Sequence, residues 1–323
     1  MNRGFLAPLV PLYAAGAAIK NAAYARGWLR QRALADPVIS VGNLSTGGAG
    51  KTPFVVYLAQ QLQARGFCPD VLSRGYGGTR FVHAEQVDPA GAASRYGDEP
   101  LMIARSTGVP VYVGERRLDA GLLAEADARD EERVHLLDDG FQHRQLARTV
   151  DIVLLHGQDF TDQLLPAGNL REPLSSLTRA HLTVLREENR EHADRVVEIT
   201  GRAPWILTRS LRVDLAGARP LAFCGLARPQ DFFGDLRALG IAPAAEITFP
   251  DHHRYTAADM RRLLDAAKSH GADALITTEK DEVKLPVALT ETLQQSGKLG
   301  IARLVLSLEN EARSIAELVA LLA

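Results

Sequence analysis

From residue 38 onward, short apolar runs alternate with stretches whose apolar positions recur every three to four residues. That alternation predicts βα units around a largely parallel sheet. Buried strands are expected at Val38–Val41, Val71–Ser73, Val111–Val113, Val134–Leu137, Ile152–Leu155 and Leu182–Leu185, with a helix over about Thr52–Arg65. Ala203–Asp214 reads differently. Its residues alternate, it carries Arg209 and Arg212, and it predicts an extended, exposed connector. A second series follows at Leu221–Cys224, Ala245–Phe249, Ala274–Thr277 and Leu304–Leu308, and an apolar helix over Ile315–Leu322 closes the chain. The expected architecture is two α/β layers meeting at a cleft, where ligands usually bind.

The first 35 residues follow another pattern. Phe5 to Ile19 is an apolar stretch broken by Pro8 and Pro11, and its fifteen residues fall short of the roughly 20 that span a bilayer. Around it, Arg3, Lys20, Arg26, Arg30 and Arg32 give five positive charges before the first acid, Asp36. Three readings fit: a signal peptide with Ala23-Tyr24-Ala25 as its cleavage site, a buried core helix, or a basic amphipathic helix in a membrane interface. In the last, Trp28 and Tyr24 suit the headgroup level. Over the whole chain 37 basic side chains nearly balance 39 acidic ones, and aromatic residues make up 6%. That composition argues against a nucleic-acid binder, which needs a basic footprint. Cys68 and Cys224 lie far apart without ligand-type spacing, which excludes a disulfide scaffold and fits a reducing compartment.

Candidate chemistry begins at Gly42-Asn43-Leu44-Ser45-Thr46-Gly47-Gly48-Ala49-Gly50-Lys51-Thr52-Pro53, between a predicted strand and a predicted helix. Glycines let backbone N–H groups turn toward an anion, and the helix N-terminus adds positive potential. Gly47, Gly48, Ala49 and Gly50 would cradle phosphates, Lys51 would reach the β- and γ-phosphates, and the Thr52 hydroxyl would hold Mg²⁺. Ser45 stands where the strict pattern has its first glycine. An ATP-using site also belongs in the cytosol, which favours the interface reading of the N-terminal helix over a signal peptide.

Other polar groups cluster at predicted strand ends. Asp138 and Asp139 close an apolar strand and suit a Mg²⁺ site, although Asp-Asp-Gly is also common turn chemistry. In Gly97-Asp98-Glu99-Pro100, spacing alone reads Asp98 as a helix N-cap, and chemistry offers it as a general base for a substrate hydroxyl. Arg171 and Glu172, in the Leu165–Pro173 loop, read as a phosphoryl-neutralising cation with a metal ligand, or as a surface ion pair. Asp251-His252-His253 invites a metal reading or a histidine tuning a base. Thr277-Thr278-Glu279-Lys280-Asp281 reads as a charged turn, and Arg74 in Ser73-Arg74-Gly75-Tyr76 as an anion contact.

Taken in order, Gly42–Pro53, Ser73–Tyr76, Gly97–Pro100, Asp138-Asp139-Gly140-Phe141-Gln142-His143, Pro166–Pro173, Phe249–His253 and Thr277–Asp281 resemble the tetraacyldisaccharide 4'-kinase family of lipid A biosynthesis, over nearly the whole chain. The resemblance implies an α/β fold: a phosphate-loop α/β/α lobe over 36–205, a linker over 206–218, a smaller α/β/α lobe over 219–323, and the N-terminal helix over 1–35. The linker would be two-stranded, so the last helix would return to the first lobe. The implied reaction moves the γ-phosphoryl of ATP to the 4'-hydroxyl of a tetraacylated, 1-phosphorylated glucosamine disaccharide. The implied enzyme is a monomer using ATP and Mg²⁺, peripheral on the cytoplasmic face of the inner membrane, with a glycolipid and the membrane surface as partners and no nucleic acid. By the same resemblance, Asp98 matches a catalytic base with His252 as its partner. Asp138, Asp139 and Glu172 match magnesium-associated acids, and His143, Arg117 and Arg171 match polar positions near the phosphates. The rival reading is a phosphate-loop nucleotide hydrolase that regulates a membrane partner.

Overall fold

The structure is a computed structural model, and it describes residues 4–46, 50–79, 82–127, 132–215, 219–295 and 297–322. Twelve strands form one continuous sheet: β1 (Val38–Asn43), β2 (Cys68–Ser73), β3 (Glu85–Gln86), β4 (Val111–Val113), β5 (Arg133–Asp138), β6 (Val150–Leu155), β7 (Leu182–Arg186), β8 (Trp205–Asp214), β9 (Pro220–Cys224), β10 (Ala245–Thr248), β11 (Ala274–Thr278) and β12 (Leu299–Leu308). Their order across the sheet is β10-β9-β11-β12-β8-β7-β6-β1-β5-β2-β4-β3. The predicted alternation is realised as parallel pairing on both sides, with antiparallel pairs at β12–β8 and at the edge, β3–β4.

β1 lies at the centre of the first half, between β5 and β6. All six of its residues are buried, as expected for a strand covered by helices on both faces. The chain leaves β1, builds β2 to β5 on one side, and returns on the other with β6. That reversal opens a crevice at the carboxyl end of β1, where α/β folds place ligands.

The halves are joined by the two longest strands. β8 begins buried against β7, then pairs with β12 from Leu207↔Leu308 to Asp214↔Ile301. Beyond its first three residues β8 alternates between exposed and half-buried positions, so its charged positions are tolerated as the expected connector requires. β12 is longer than the predicted Leu304–Leu308, because Gly300 weakens the sequence pattern. Here a Cβ at Gly300 would come within 2.7 Å of Leu215 Cδ1, so the glycine allows the strand to pass under that side chain.

After β12 the chain returns to the first half. Helix Glu311–Ala320 buries Ile315 and Leu318 fully, in one core with Phe54, Leu58, Leu101 and Ile103. The second half has its own core, built on Leu221, Phe223, Leu263, Leu275 and Ile301.

The N-terminal segment forms a short 3-10 turn over Gly4–Leu9 and a helix over Val10–Ala25. Among its described residues only Tyr24 is buried, which overturns the core-helix reading. Phe5, Leu12 and Ile19 are 79%, 73% and 69% exposed. Its polar groups point inward: Tyr13 Oη donates to the Arg171 carbonyl at 3.0 Å, and Asn21 Nδ2 donates to Glu172 at 2.7 Å. This reverses the usual order of a surface helix, with polar contacts to the protein and apolar side chains outside. Lys20 is the helix's only charge, so the expected basic face lies in the following segment with Arg26, Arg30 and Arg32. Among the described residues no helix is long and apolar enough to cross a membrane.

Ile315→Ala removes a fully buried side chain from the shared core and leaves a cavity. It should destabilise the protein by about 2–5 kcal/mol in urea unfolding. A loss below about 1 kcal/mol would show that the closing helix is dispensable to that core.

Candidate active site

The phosphate loop starts from the buried end of β1. Its first residues are tied to the 165–173 loop: Ser45 bridges Leu170, Thr46 N donates to the Asn169 carbonyl at 2.8 Å, and Arg171 N donates to the Leu44 carbonyl at 2.7 Å. Gly47, Gly48 and Ala49 lie outside the described residues. Gly50 takes a left-handed conformation, φ 81°, and caps helix Lys51–Gln63. That conformation favours glycine, and it sets Lys51 and Thr52 in the first helical turn. Gly42 is needed for another reason, since a Cβ there would lie 2.5 Å from Phe141 Cβ.

Beside β1, β5 ends at Asp138. Its carboxyl is buried, and its Oδ1 has no hydrogen-bond partner among the described residues. Burial pushes Asp138 up to about 6; Lys51 and Arg117 oppose that shift, and Asp139 and Glu99 add to it. Asp139 follows in a left-handed conformation, φ 52°, rare for a residue with a Cβ. This turn aims its carboxylate at two cations. Lys51 Nζ stands 3.5 Å away, and Arg171 Nη1 donates to both oxygens at 3.0 Å. Burial raises the Asp139 pKa, but Lys51 and Arg171 outweigh it and hold the carboxyl below its ordinary value. Lys51 also donates to Asn43 Oδ1 at 3.1 Å.

Arg117 opens helix Arg117–Ala126 and is buried, with its Nε unpartnered. Burial lowers its pKa, with Asp138 and Asp139 opposing. His143 lies nearby, and burial followed by the charges of Arg117, Arg148, Lys20 and Arg74 pushes it down to about 4. A cavity of about 350 Å³ adjoins this pair; Arg30, Arg32, Arg116, Arg117 and His143 form its polar side, and Tyr24, Leu29, Leu118, Gln145 and Leu146 complete the lining. Such a lining suits an anion.

The opposite wall is built where the two halves meet. Asp98 is the first residue of helix Asp98–Thr107, and Gly97 occupies the N-cap position, so the N-cap reading of Asp98 does not hold. Its carboxylate instead meets His252, Nδ1 to Oδ2 at 2.9 Å, across 154 residues of sequence. His252 reaches it from a left-handed backbone, φ 59°, in the loop after β10. The Tyr76 ring lies edge-on to His252 at 5.9 Å. His253 turns the other way, onto Asp259 at 3.2 Å and against the Phe249 ring. Among the described residues, Asp251, His252 and His253 form no metal-binding cluster.

Two lysines complete this wall: Lys280, which the sequence offered only as part of a charged turn, and Lys284, which it did not single out. Lys284 is fully buried, paired to Asp281 at 2.9 Å and standing 3.9 Å from Asp98. Lys280 bridges Glu99 at 3.5 Å and Asp251 at 3.3 Å. The expected charged turn at 277–281 is therefore an anchored element. Asp281 is buried and accepts from Gly225 N, Tyr255 Oη and Thr278 Oγ1 at 2.8 to 3.1 Å. Only the one-turn repeat from Lys280 to Lys284 hinted at this in the sequence.

Thus Lys51, Asp138, Asp139, Arg171, Arg117 and His143 gather at the carboxyl ends of β1 and β5, and Asp98 and His252 face each other between the halves. Glu172 stands apart. It is buried, and its Oε2 accepts from Asn21 at 2.7 Å and from Arg179 at 2.5 Å, which turns it toward the N-terminal helix.

Comparison with known proteins places this arrangement in a family. The LpxK family, described as tetraacyldisaccharide-1-P 4'-kinase, matches residues 3–322. A tetraacyldisaccharide 4'-kinase of Koribacter versatilis is 42% identical over 322 residues, covering 97% of each chain. Another, of Aeromonas salmonicida, is 35% identical and covers 91% of this chain and 92% of its own. Among solved structures, the LpxK of Aquifex aeolicus in complex with ATP superposes with a TM-score of 0.79 at 33% identity, covering 100% of both chains. The chain belongs to the tetraacyldisaccharide-1-P 4'-kinase family.

Proposed function

We propose that this protein transfers the γ-phosphoryl group of ATP to the 4'-hydroxyl of a tetraacylated glucosamine disaccharide 1-phosphate, forming lipid IV-A. The observation that carries the reading is the Asp98–His252 pair, set between the halves beside a phosphate loop. A sugar hydroxyl is a weak acid, so a positioned carboxylate that takes its proton assists attack on the γ-phosphorus. His252 Nδ1–H would orient that carboxylate, and Lys284 Nζ stands 3.9 Å from it on the buried side. Lys51, Arg171 and Arg117 would neutralise charge spread over the transferred group. The arginine-lined cavity suits a substrate that already carries a phosphate.

Mg²⁺ fits the donors present. Asp138 Oδ1 is a buried, unpartnered hard oxygen, and Thr52 lies in the first turn of the adjoining helix. We assign the ion to those two residues. Asp139 would position Lys51 and Arg171, and Glu172 would anchor the N-terminal helix. When bound, Mg²⁺ supplies further charge neutralisation on the β- and γ-phosphates.

The chain would work as the N-terminal helix, two lobes and the linker set out above, as a monomer on the cytoplasmic face of the inner membrane. The outward apolar side of the helix supports membrane contact. Leu12→Ser and Ile19→Ser should each weaken partitioning onto anionic lipid vesicles by about tenfold, from the apolar area each would bury. Unchanged partitioning in both would refute anchoring by this helix.

Purified protein in detergent with Mg²⁺, labelled ATP and the disaccharide 1-phosphate should label the lipid. Lys51→Ala and Asp98→Ala should each lower that rate by roughly 10²–10⁴, with the far-UV circular dichroism preserved. Phosphate release without lipid labelling would sink the kinase assignment and favour the hydrolase.

Asp138 yields a further expectation. Its folded pKa, about 6, lies above the roughly 4 of an unfolded chain. The native state therefore binds the extra proton between those values, and stability falls as pH rises through that window. At pH 7, Asp138→Asn should stabilise the metal-free protein by ~1–3 kcal/mol. That gain should vanish by about pH 4 in urea titrations. An equal gain at both pH values would disprove the buried-charge account.

A further inference from the structure

At the other end of β5 lies a polar group that the phosphoryl-transfer site does not use. His135 is fully buried in the middle of the strand, where an apolar side chain would be ordinary. Its direct cross-strand neighbour on β2 is Asp70, and Nδ1 meets Asp70 Oδ1 at 2.8 Å. A carboxylate only accepts, so the neutral ring carries its hydrogen on Nδ1 and presents a lone pair at Nε2. Among the described residues that nitrogen has no hydrogen-bond partner. It points toward two more carboxylates, with Glu125 Oε1 at 3.7 Å and Asp36 Oδ2 at 4.0 Å.

A lone pair facing two carboxylates is repulsive unless positive charge lies between them. A proton on Nε2 would draw one carboxylate in to about 2.8 Å, and both stand well outside that. Two donors on one tetrahedral metal ion, with bonds of 2.0–2.2 Å, sit about 3.4 Å apart, so the two histidine–carboxylate distances exceed that spacing by only a few tenths of an ångström. One ligand atom from each of Asp36, Glu125 and His135 already lies within 4.8 Å of the others. The charges agree. Among the described residues, Asp36, Asp70 and Glu125 are offset nearby by Arg133 alone, with its guanidinium 3.2 Å from Asp70 and 3.8 Å from Asp36, which leaves two negative charges among them.

We propose that His135, Glu125 and Asp36 bind one divalent transition-metal ion of zinc's kind, with Asp70 fixing the histidine tautomer from behind. The carboxylate–histidine–metal order is the common second-sphere arrangement. An imidazole donor favours zinc-like ions over Mg²⁺ or Ca²⁺. Asp36 is only partly buried, so water has access to a fourth position.

The site is separate from the phosphate end. His135 and Asp138 are three positions apart, about 10 Å along the strand, and their side chains leave opposite faces of the sheet. Its role is structural. Glu125 already accepts from Ala35 N and Asp36 N, so the ion would clamp the segment leaving the N-terminal helix onto helix Arg117–Ala126 and β5. Arg117 heads that same helix, which connects the clamp to the placement of the anion-facing arginine.

The test uses full-length protein stripped with chelator, incubated with micromolar Zn²⁺, desalted and measured by elemental mass spectrometry. About one zinc per chain is expected, with a rise in thermal midpoint. Asp36→Asn and Glu125→Gln should each lower occupancy at least tenfold while keeping the fold by circular dichroism, and Asp138→Asn should retain full occupancy. Negligible zinc in the wild type would overturn the proposal. Undiminished zinc in both Asp36→Asn and Glu125→Gln would overturn it as well.

Discussion

The antiparallel pairing of β8 with β12 is the constraint on which everything between the halves depends. Eight consecutive residue pairs carry the sheet from one half into the other. Each strand is buried at one end in a different core and half-exposed between. A single crossing strand would leave the halves free to swivel. Two paired strands resist twisting while permitting bending, since backbone hydrogen bonds shear less readily than a sheet flexes. The Asp98–His252 contact, Lys280 between Glu99 and Asp251, and Arg254 on the Gly77 carbonyl at 3.0 Å all rely on that frame. Each is polar and partly accessible. Such contacts add little stability singly, which suits a seam that must admit a substrate.

Within the frame, charge is distributed by burial. Asp138 and Asp139 are neighbours in sequence with opposite fates. One is buried with an idle oxygen and holds its proton more readily, and the other is held ionised by Lys51 and Arg171. The left-handed turn at Asp139 produces the split, because it swings the second carboxylate toward the cations. Two acids in different environments are thereby given different work. On the facing wall, Asp281 and Lys284 form a buried ion pair whose carboxylate has its remaining lone pairs taken by Gly225, Tyr255 and Thr278. Losing either member would leave an uncompensated charge in the interior.

What the sequence disclosed follows the range of the forces involved. The βα alternation and the Gly50-Lys51-Thr52 turn were legible, because periodicity and a capping glycine act within a few residues. Asp98 was ambiguous on spacing, because its role turns on His252, a residue brought to it only by the long β8–β12 excursion. Lys284 went unnoticed as one more charge after a strand. The first half of β12 was hidden by Gly300, whose use is to let Leu215 pass. The N-terminal helix was read with a basic face, whereas Tyr13 and Asn21 bind inward and the apolar side chains face out. Composition could not show that inversion, since it depends on what the 165–173 loop offers to those two groups.

The return of helix Glu311–Ala320 to the first core has a consequence for how the chain is made. Ile315 and Leu318 close a cluster whose other members come mostly from residues 39 to 207. During synthesis the first half emerges early and begins to collapse, but its last layer is encoded more than a hundred residues later. Until then Phe54, Leu58 and their neighbours lack their final cover, and such surfaces attract other chains. The second half must fold, or at least release its end, before the first can finish. Assembly in this protein is therefore nested: the half begun first is completed late, and its exposed interval lasts until helix Glu311–Ala320 has been made.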